Sequence, residues 1–453
     1  GRLQLYKSKE KIIGFLDNFD LDKIPVAVVL EAKRAVLDTL GCMIAGVDTP
    51  LGKGLHKLAY RFIDKKGVTV FGLKKKMTPF MAAMCNSYMA NAHDADDGHR
   101  RSRLHAGGII IPVALAVAQE NNNTGKQFLE AIIIGFELAY RAGMVTTTWE
   151  AYHGSAMGST FGAAASAGRL LGLTSEQIIN AMGIAEMQAP NCMLMGWIKA
   201  KKIPMVKEGM GWSAASGIMS AYMAESGITG TLTIFKSDEK ICEIERLGHN
   251  FEISHHYFKP HPGCRWTHVP LQTLQALMVK HKINFEDIEK ITIRTLSKAA
   301  HLDNPNPLTM EDAQYSIPFV IAATLVDGEF GPDQMTIEKL HDPQILAVAK
   351  KVNIETAPEF DKFFPELIKN EVQITNKKGI CFSAQSQNVK GDENFPLKDG
   401  DIKNKFAWLS RKRLDKNQAK AIVDEIGSLQ EKPSITKLIN SFTNKMNKPG
   451  DKT

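Results

Sequence analysis

The sequence lacks the patterns that mark membrane-spanning, zinc-binding and P-loop proteins. Across its 453 residues, no uninterrupted apolar run approaches the about 18 residues that a membrane helix needs. No Cys-x-x-Cys pair, His-Glu-x-x-His motif, P-loop or Gly-x-Ser-x-Gly elbow occurs. These absences argue against a membrane protein, a zinc-ribbon or clustered iron–sulfur protein, and a hydrolase built on a serine elbow.

The cysteine content and the net charge give little information about binding partners. The six cysteines lie far apart, which suits a reducing compartment, so we expect a cytoplasmic protein. The net charge of +7 comes from scattered lysines without a basic-aromatic module, so no nucleic-acid partner is expected. The excess of positive charge is interpreted either as a set of solvated lysines or as a feature that attracts an anionic substrate. The chain starts at Gly1 without a secretory signal pattern or an initiator methionine, so we expect an altered N-terminus.

The first half of the chain has apolar residues at helical spacing. Small residues dominate 159–171, which predicts a helix packed closely among others. Thr174 and Gln177 have the spacing of a capping box, and Glu137 and Arg141 are one turn apart. The predicted helices of this half are 25–46, 78–93, 110–120, 127–144, 159–171 and 212–226, with a short β-like piece at 66–72.

The pattern changes after about residue 270. Alternating apolar residues predict a strand at 288–296 and a hairpin at 372–385, with helices at 271–280 and 313–326 around them. Helical periodicity returns after a polar stretch at 390–401. We therefore predict a mainly α protein. Its large helical domain is formed by both chain ends, 1–269 and 399–453, and a smaller α+β lid domain, 270–398, is inserted between them.

The densest ionisable cluster lies between two apolar helices, from His93 to Gly108. It holds Asp94, Asp96 and Asp97 with three histidines, and loops after helices often carry function. A solvated acidic loop and a metal site are the alternatives. We disfavour the metal site, because no metal-binding or phosphate-binding motif accompanies it.

Three further segments carry chemistry. His153 precedes the small-residue helix. Lys207 lies at the start of an apolar helix, where a cation is disfavoured unless it is exposed or faces an anion. The segment 258–268 is cationic and rigid. The alternative, non-functional interpretation is an interdomain linker whose backbone is restricted by prolines. Lysines and arginines could bind carboxylates while a histidine or lysine takes a proton from the adjacent carbon. A nucleophilic Cys264 remains open but has no recognisable signature.

These residues together resemble the MmgE/PrpD family. The resemblance rests on Asp38-Thr-Leu-Gly41, Asp94-Ala-Asp-Asp97 with His105, His153, Lys207, and Lys259-Pro-His-Pro-Gly-Cys-Arg-Trp-Thr-His268, and it spans nearly the whole chain. It implies a homodimer that acts on di- or tricarboxylates without metal or organic cofactor. It also implies active-site roles for Asp94, His105, His153, Lys207 and Lys259.

The candidate residues therefore fall into two groups. The candidate catalytic residues are Asp94, His105, His153 and Lys207. The candidate substrate-binding residues are Asp97, His99, Lys259, Cys264 and Arg265. No metal ligands are expected.

The sequence departs from the cis-aconitate decarboxylase branch of this family at several positions. Gly98 stands where that branch has Thr, and Cys264 where it has His. Glu208-Gly209-Met210 stands where decarboxylases and epimerases have Pro-x-His after the lysine, and His105-Ala106 replaces the commoner His-Pro. We therefore predict a lyase that dehydrates a 2-methylcitrate-like hydroxy-polycarboxylate, rather than a decarboxylase. The alternatives are an epimerase of an imino- or amino-dicarboxylate and a non-catalytic carboxylate-binding protein.

Overall fold

The structure is a computed structural model that describes residues 2–146, 155–235 and 241–443. Within these ranges the chain is mainly helical, as predicted. In chain order, the α-helices are α1 (Arg2–Asp17), α2 (Val26–Gly46), α3 (Pro50–Ala59), α4 (Pro79–Ala90), α5 (Gly107–Asn121), α6 (Gly125–Thr146), α7 (Ser155–Leu170), α8 (Ser175–Gln188), α9 (Leu194–Lys199), α10 (Met210–Glu225), α11 (Ile241–Glu245), α12 (Arg265–His281), α13 (Met310–Gln314), α14 (Ile317–Asp327), α15 (Ile337–Leu340), α16 (Pro343–Ala349), α17 (Asp399–Ser410), α18 (Lys416–Gly427) and α19 (Thr436–Thr443).

The strands form small sheets. In chain order they are β1 (Ile63–Thr69), β2 (Lys76–Met77), β3 (Gly98–His99), β4 (His256–Tyr257), β5 (Ile288–Thr295), β6 (Val352–Thr356), β7 (Asn370–Asn376) and β8 (Cys381–Ser386). The four-stranded sheet has the order β6-β5-β7-β8, and β5 pairs with β6 in parallel and with β7 antiparallel. The predicted hairpin is confirmed as β7–β8, in which Val372 pairs with Ala384.

Local signals in the sequence account for several of these elements. The capping box of α8 is confirmed, because the Thr174 hydroxyl accepts from the Gln177 N–H and the Gln177 side chain accepts from the Thr174 N–H. The predicted pair between Glu137 and Arg141 is also confirmed, at 2.5 Å. Both partners are buried, and Glu137 also accepts the N–H groups of Glu252 and Ile253. The pair therefore binds the segment at Glu252 and Ile253, which is distant in the chain, to α6.

The small-residue helix α7 lies at the centre of the helical part. It packs against α6, α8 and α10, and nearly all of its residues are buried. A Cβ atom at Gly162 would lie 2.1 Å from the Gly135 carbonyl oxygen of α6. The two backbones thus approach too closely for any larger residue, which is the physical reason for the small-residue pattern.

The buried apolar side chains form two main clusters. The larger cluster gathers residues between Ile12 and Phe258 and between Leu397 and Phe442. The second gathers residues between Trp266 and Val389, joined by Leu194 and Ile198. Helix α12 runs across the predicted boundary at 269/270, and the division into a helical and a lid domain stays a prediction. Within the described ranges, no helix combines the length and apolar character that a bilayer crossing requires.

Candidate active site

A cavity lies between the loop after α4, the turn before α10 and the start of α12. Acidic, basic and aromatic side chains line it together. Those that bear on its chemistry are Asp94, His99, Arg100, Arg103, His105, Glu208, Tyr257, Cys264, Arg265 and Tyr315. Five of these were candidates from sequence, and they come from the loop after α4 and from the start of α12, which are far apart in the chain.

Asp94 is a buried carboxylate held by a lysine. It adopts a left-handed backbone conformation, with φ of 52°, in the turn that follows α4. Lys259 Nζ donates to Asp94 Oδ1 at 2.6 Å and to the Asp94 carbonyl at 2.9 Å. Burial by itself raises the pKa of Asp94, but the attractions of Lys259, Lys207 and His105 outweigh it and lower the pKa below its ordinary value. Asp94 is therefore ionised.

Lys207 is buried behind the same loop. Its ammonium donates to the backbone carbonyl of Asn91 and, at 3.2 Å, to the Asn91 side chain. Asn91 in turn donates to Asp96 at 2.9 Å. Burial lowers the pKa of Lys207, against the attraction of nearby carboxylates that include Asp94. Neither Lys207 nor Lys259 lines the cavity, so both lysines act on it through the loop that holds Asp94.

The ring of His105 lines the cavity and is oriented by a backbone carbonyl. Its Nδ1 lies 2.7 Å from the Asp97 carbonyl oxygen, which can only accept, so Nδ1 carries the proton in the neutral ring. Its Nε2 then holds a lone pair on a side chain that lines the cavity. The backbone N–H of His105 donates to the Ser155 hydroxyl at 2.9 Å, at the start of α7. Two elements therefore fix this imidazole in an orientation suited to a base.

Glu208 follows Lys207 in the turn before α10. It is buried, and it has a left-handed backbone, with φ of 64°. Its carboxylate accepts the Ser155 N–H at 2.7 Å. Burial raises the pKa of Glu208, although the attraction of His105 and the hydrogen bonds from Ser155 oppose that rise. The cavity thus holds two carboxyl groups whose pKa values are shifted in opposite directions.

One carboxylate oxygen of Asp97 and both ring nitrogens of His99 are hydrogen-bonded to the protein. Asp97 Oδ1 accepts the Gly107 N–H at 3.0 Å, and Asp97 is absent from the cavity lining. His99 uses one ring nitrogen on Ser102 at 2.9 Å and the other on Glu252 at 3.0 Å. Burial lowers the pKa of His99 to about 4, so the ring is neutral. These contacts suit positioning, and a direct contact with substrate stays a prediction for both residues.

Cys264 and Arg265 begin α12 at the cavity wall. Burial raises the pKa of the Cys264 thiol to about 12, so the thiol stays protonated and is a poor nucleophile. Arg265 donates to Asp392 at 2.6 Å and lies 4.4 Å from the centre of the Tyr257 ring. Asp392 also binds Arg100. One carboxylate of the polar stretch 390–401 therefore orients two arginines of the wall.

A larger, mainly apolar cavity of about 340 Å³ lies on the other side of the cluster. His93 is the residue of the His93–Gly108 cluster that reaches it. Burial and the repulsion of Lys207 lower the pKa of His93 to about 3, so this imidazole is a very weak base. Arg413 at the rim is paired with Asp48. We place the chemistry in the smaller cavity, because Asp94, His105 and Glu208 converge there. The remaining candidate, His153, lies outside the described residues.

Comparison with known families identifies the family of the chain. Residues 10–253 match the MmgE/PrpD N-terminal domain, and residues 261–430 match the MmgE/PrpD C-terminal domain. The chain belongs to the MmgE/PrpD family. Similar curated proteins include the cis-aconitate decarboxylase of Aspergillus terreus, 25% identical over 95% of this chain and 94% of the relative. Another is the cis-aconitate decarboxylase of Mus musculus, 23% identical over 96% and 94%. These names support lyase chemistry at the level of the family.

Within this MmgE/PrpD chain, the position of Gly98 is filled by a neighbour. A Cβ atom there would lie 2.3 Å from the Tyr257 hydroxyl oxygen, because β3 and β4 pair at Gly98 and Tyr257. The tyrosine therefore occupies the space that a side chain such as Thr would need. The cavity wall at this point is shaped by Tyr257 instead.

Sequence reasoning missed several lining residues. Glu208 was noticed as a departure from relatives, but it received no role. A charged residue beside glycine in an apolar stretch was the available signal. Tyr257 and Tyr315 gave no signal, because aromatic residues are also ordinary core residues. Arg100 and Arg103 were not singled out.

Proposed function

We propose that this MmgE/PrpD protein is a lyase that removes water from a hydroxy-polycarboxylate resembling 2-methylcitrate, without a metal or organic cofactor. The observation that carries the proposal is the position of the His105 imidazole, which is oriented through Nδ1 by the Asp97 carbonyl in a cavity shared with Asp94 and three arginines. A base beside cations suits removal of a proton from a carbon next to a carboxylate. Such removal is the first step of this elimination.

The residues divide the work as follows. His105 Nε2 takes the proton from the carbon next to a substrate carboxylate, and Asp94 stabilises the resulting imidazolium. The positive charges of Lys259 and Lys207, which lie outside the cavity lining, lower the pKa of Asp94 and keep it ionised. Arg100, Arg103 and Arg265 bind the substrate carboxylates and the negative charge that develops on them. The bond from carbon to the hydroxyl oxygen then breaks, and water leaves once a donor has protonated that oxygen.

Decarboxylation is the second candidate, and the names of the similar proteins support it. In that reaction a carboxylate leaves as carbon dioxide, and an acid protonates the carbon that remains. The wall at Gly98 argues against an identical substrate pocket, because the Tyr257 hydroxyl fills the space of a side chain there. We therefore rank decarboxylation second.

The test is incubation of the purified protein with 2-methylcitrate and, separately, with cis-aconitate. Ultraviolet absorbance of a new conjugated alkene from 2-methylcitrate supports dehydration, and His105→Gln should abolish it. His341→Gln is the matched control, because this histidine is exposed. Release of carbon dioxide from cis-aconitate alone would favour decarboxylation. Exchange of the substrate's α-hydrogen without elimination would favour an epimerase. Thermal stabilisation by tricarboxylates without any turnover would favour a binding protein.

We also propose a homodimer in which α10 contributes to the contact. Trp212 and Met219 are two turns apart on one face of α10, and they are 49% and 39% exposed. Met187 and Met193 are exposed near the adjoining end of α8, where Ser216 of α10 donates to the Gln188 carbonyl at 3.0 Å. Large apolar side chains clustered on a surface are typical of a protein interface.

A further inference from the structure

A dehydration needs a proton donor as well as a base. The base is His105 in the function proposed above, on which this inference rests. Asp94 cannot be the donor, because Lys259 holds its carboxylate at 2.6 Å and favours the ionised form. The leaving hydroxyl must therefore receive its proton from another group at the cavity wall.

Three other described residues of the wall are poor donors. Burial raises the pKa values of Cys264 and Tyr257 to about 12, which makes both of them weak acids near neutral pH. His99 is neutral, and both of its ring nitrogens are bonded to the protein. Among the residues that the structure describes around this cavity, Glu208 is the remaining carboxyl group besides Asp94.

The geometry of Glu208 fits the role. Its side chain is 3% exposed and lines the cavity. Ser155 links it to the base, since the Ser155 N–H donates to Glu208 Oε2 at 2.7 Å and the Ser155 hydroxyl accepts from the His105 N–H at 2.9 Å. The left-handed backbone of Glu208 is unfavourable for a residue other than glycine. Such conformations persist mainly where the surrounding structure imposes them, often at functional sites.

We propose that Glu208 is the general acid of the elimination. Its carboxyl proton passes to the substrate hydroxyl oxygen as the bond from carbon to that oxygen breaks, and water leaves. His105 holds the proton taken from the α-carbon, so the protein finishes with an imidazolium and a Glu208 carboxylate. Transfer of one proton between them through water restores the starting state. The products are the alkene and one water molecule.

The electrostatics agree with this assignment. Burial raises the pKa of Glu208, whereas the cations around Asp94 lower its pKa. Two carboxyl groups with opposite shifts in one site are the usual arrangement of an acid and an ionised partner.

The experiment separates proton abstraction from elimination in Glu208→Gln. Glutamine keeps an oxygen that can accept the Ser155 N–H, but it has no acidic proton. In deuterated water with 2-methylcitrate, we expect alkene formation to fall at least about 100-fold. Exchange of the α-hydrogen should stay within about threefold of wild type, because that step depends on His105. The wild-type rate should decline as pH rises through the Glu208 pKa, and the variant should lose this decline.

Glu130→Gln is the matched control, since Glu130 is a buried carboxylate that pairs with Arg169 and is absent from the cavity lining. It should leave both rates unchanged. Equal loss of exchange and elimination in Glu208→Gln, or loss of neither, would overturn the proposal.

A second readout works without turnover. The infrared spectrum of the wild type minus that of Glu208→Gln should contain the band of a protonated carboxyl group at the pH of the assay. Absence of this band overturns the acid role whatever the substrate. If the band is present but the wild type neither eliminates water nor exchanges hydrogen, the proposed dehydration fails, and with it the role of Glu208 in that reaction, although Glu208 is then shown to be protonated.

Discussion

At the scale of single residues, the site depends on charges that are buried in pairs. Asp94 and Lys259 are almost completely buried, at 1% and 0% exposure, and each supplies the other's nearest counter-charge. A buried pair of this kind adds little net stability, but the loss of one partner leaves an isolated charge in a poorly polarisable environment. The same pair sets the ionisation of Asp94. Stability and chemistry are therefore linked at this position.

Lys259→Met tests that link. The variant leaves the Asp94 carboxylate buried without its main partner, so we expect the free energy of unfolding to fall by about 3–5 kcal/mol near neutral pH. Without Lys259, burial raises the pKa of Asp94. The deficit should then shrink as the pH falls through that raised pKa, because protonated Asp94 carries no charge. Urea unfolding over a range of pH measures both effects.

Two further variants make this result specific. Lys126→Met removes a partly exposed lysine that pairs with Asp20 and Asp22, and it should cost only about 0–1 kcal/mol. In the double variant Lys259→Met with Asp94→Asn, the decrease in the free energy of unfolding should be smaller than the sum of the decreases in the two single variants. Additive losses would show that the two side chains do not depend on each other.

At the scale of elements, α7 is the helix that sets the spacing of its neighbours. Its glycines and alanines allow α6 and α10 to approach it closely: a Cβ atom at Gly162 would lie 2.1 Å from the Gly135 carbonyl oxygen, and one at Gly217 would lie 2.4 Å from the Ala163 Cβ. The start of α7 also carries Ser155, which contacts both His105 and Glu208. The packing of α7 and the geometry of the site are therefore coupled.

Gly162→Ala should destabilise the protein by about 1–3 kcal/mol, because the added methyl group forces α6 and α7 apart. The comparison is Gly14→Ala in α1, where a Cβ atom would meet nothing within 4 Å. That change should stabilise the protein by about 0.5–1 kcal/mol through helix propensity. Thermal or urea unfolding of the two variants gives the comparison. Stabilisation by both substitutions would contradict the close packing of α7.

Some secondary-structure elements could be predicted from local sequence signals, and others could not. The helix at α2, the capping box of α8 and the β7–β8 hairpin followed from spacing and turn chemistry, because these signals act over a few residues. The pairing of β3 with β4 was not predicted. Each of these strands has two residues, and their partner is decided by the fold around them.

At the scale of the whole molecule, the exposed apolar face of α10 is the feature that a single chain leaves unexplained. If two copies meet there, light scattering after size-exclusion chromatography should give twice the mass of one chain. Met219→Glu should convert the protein to a monomer, because a buried unpaired carboxylate would oppose association. Val279→Glu is the control, since Val279 is 80% exposed on α12, and it should leave the mass unchanged. A monomeric wild type at micromolar concentration would contradict the dimer.

The sequence by itself determined the helical class, the positions of most long elements, and the family to which the chain is similar. It also pointed to the His93–Gly108 segment, because ionisable residues crowded between apolar helices are visible without a structure. Tertiary structure alone decided which of those residues meet the cavity. In the folded protein Asp97 lies away from the cavity, and both ring nitrogens of His99 are hydrogen-bonded. Lys207 and Lys259 lie behind Asp94. Glu208 lies close to His105, the proposed base. The reason is that burial, hydrogen-bond partners and pKa shifts arise from contacts between segments far apart in the chain, and residue spacing carries no record of those contacts.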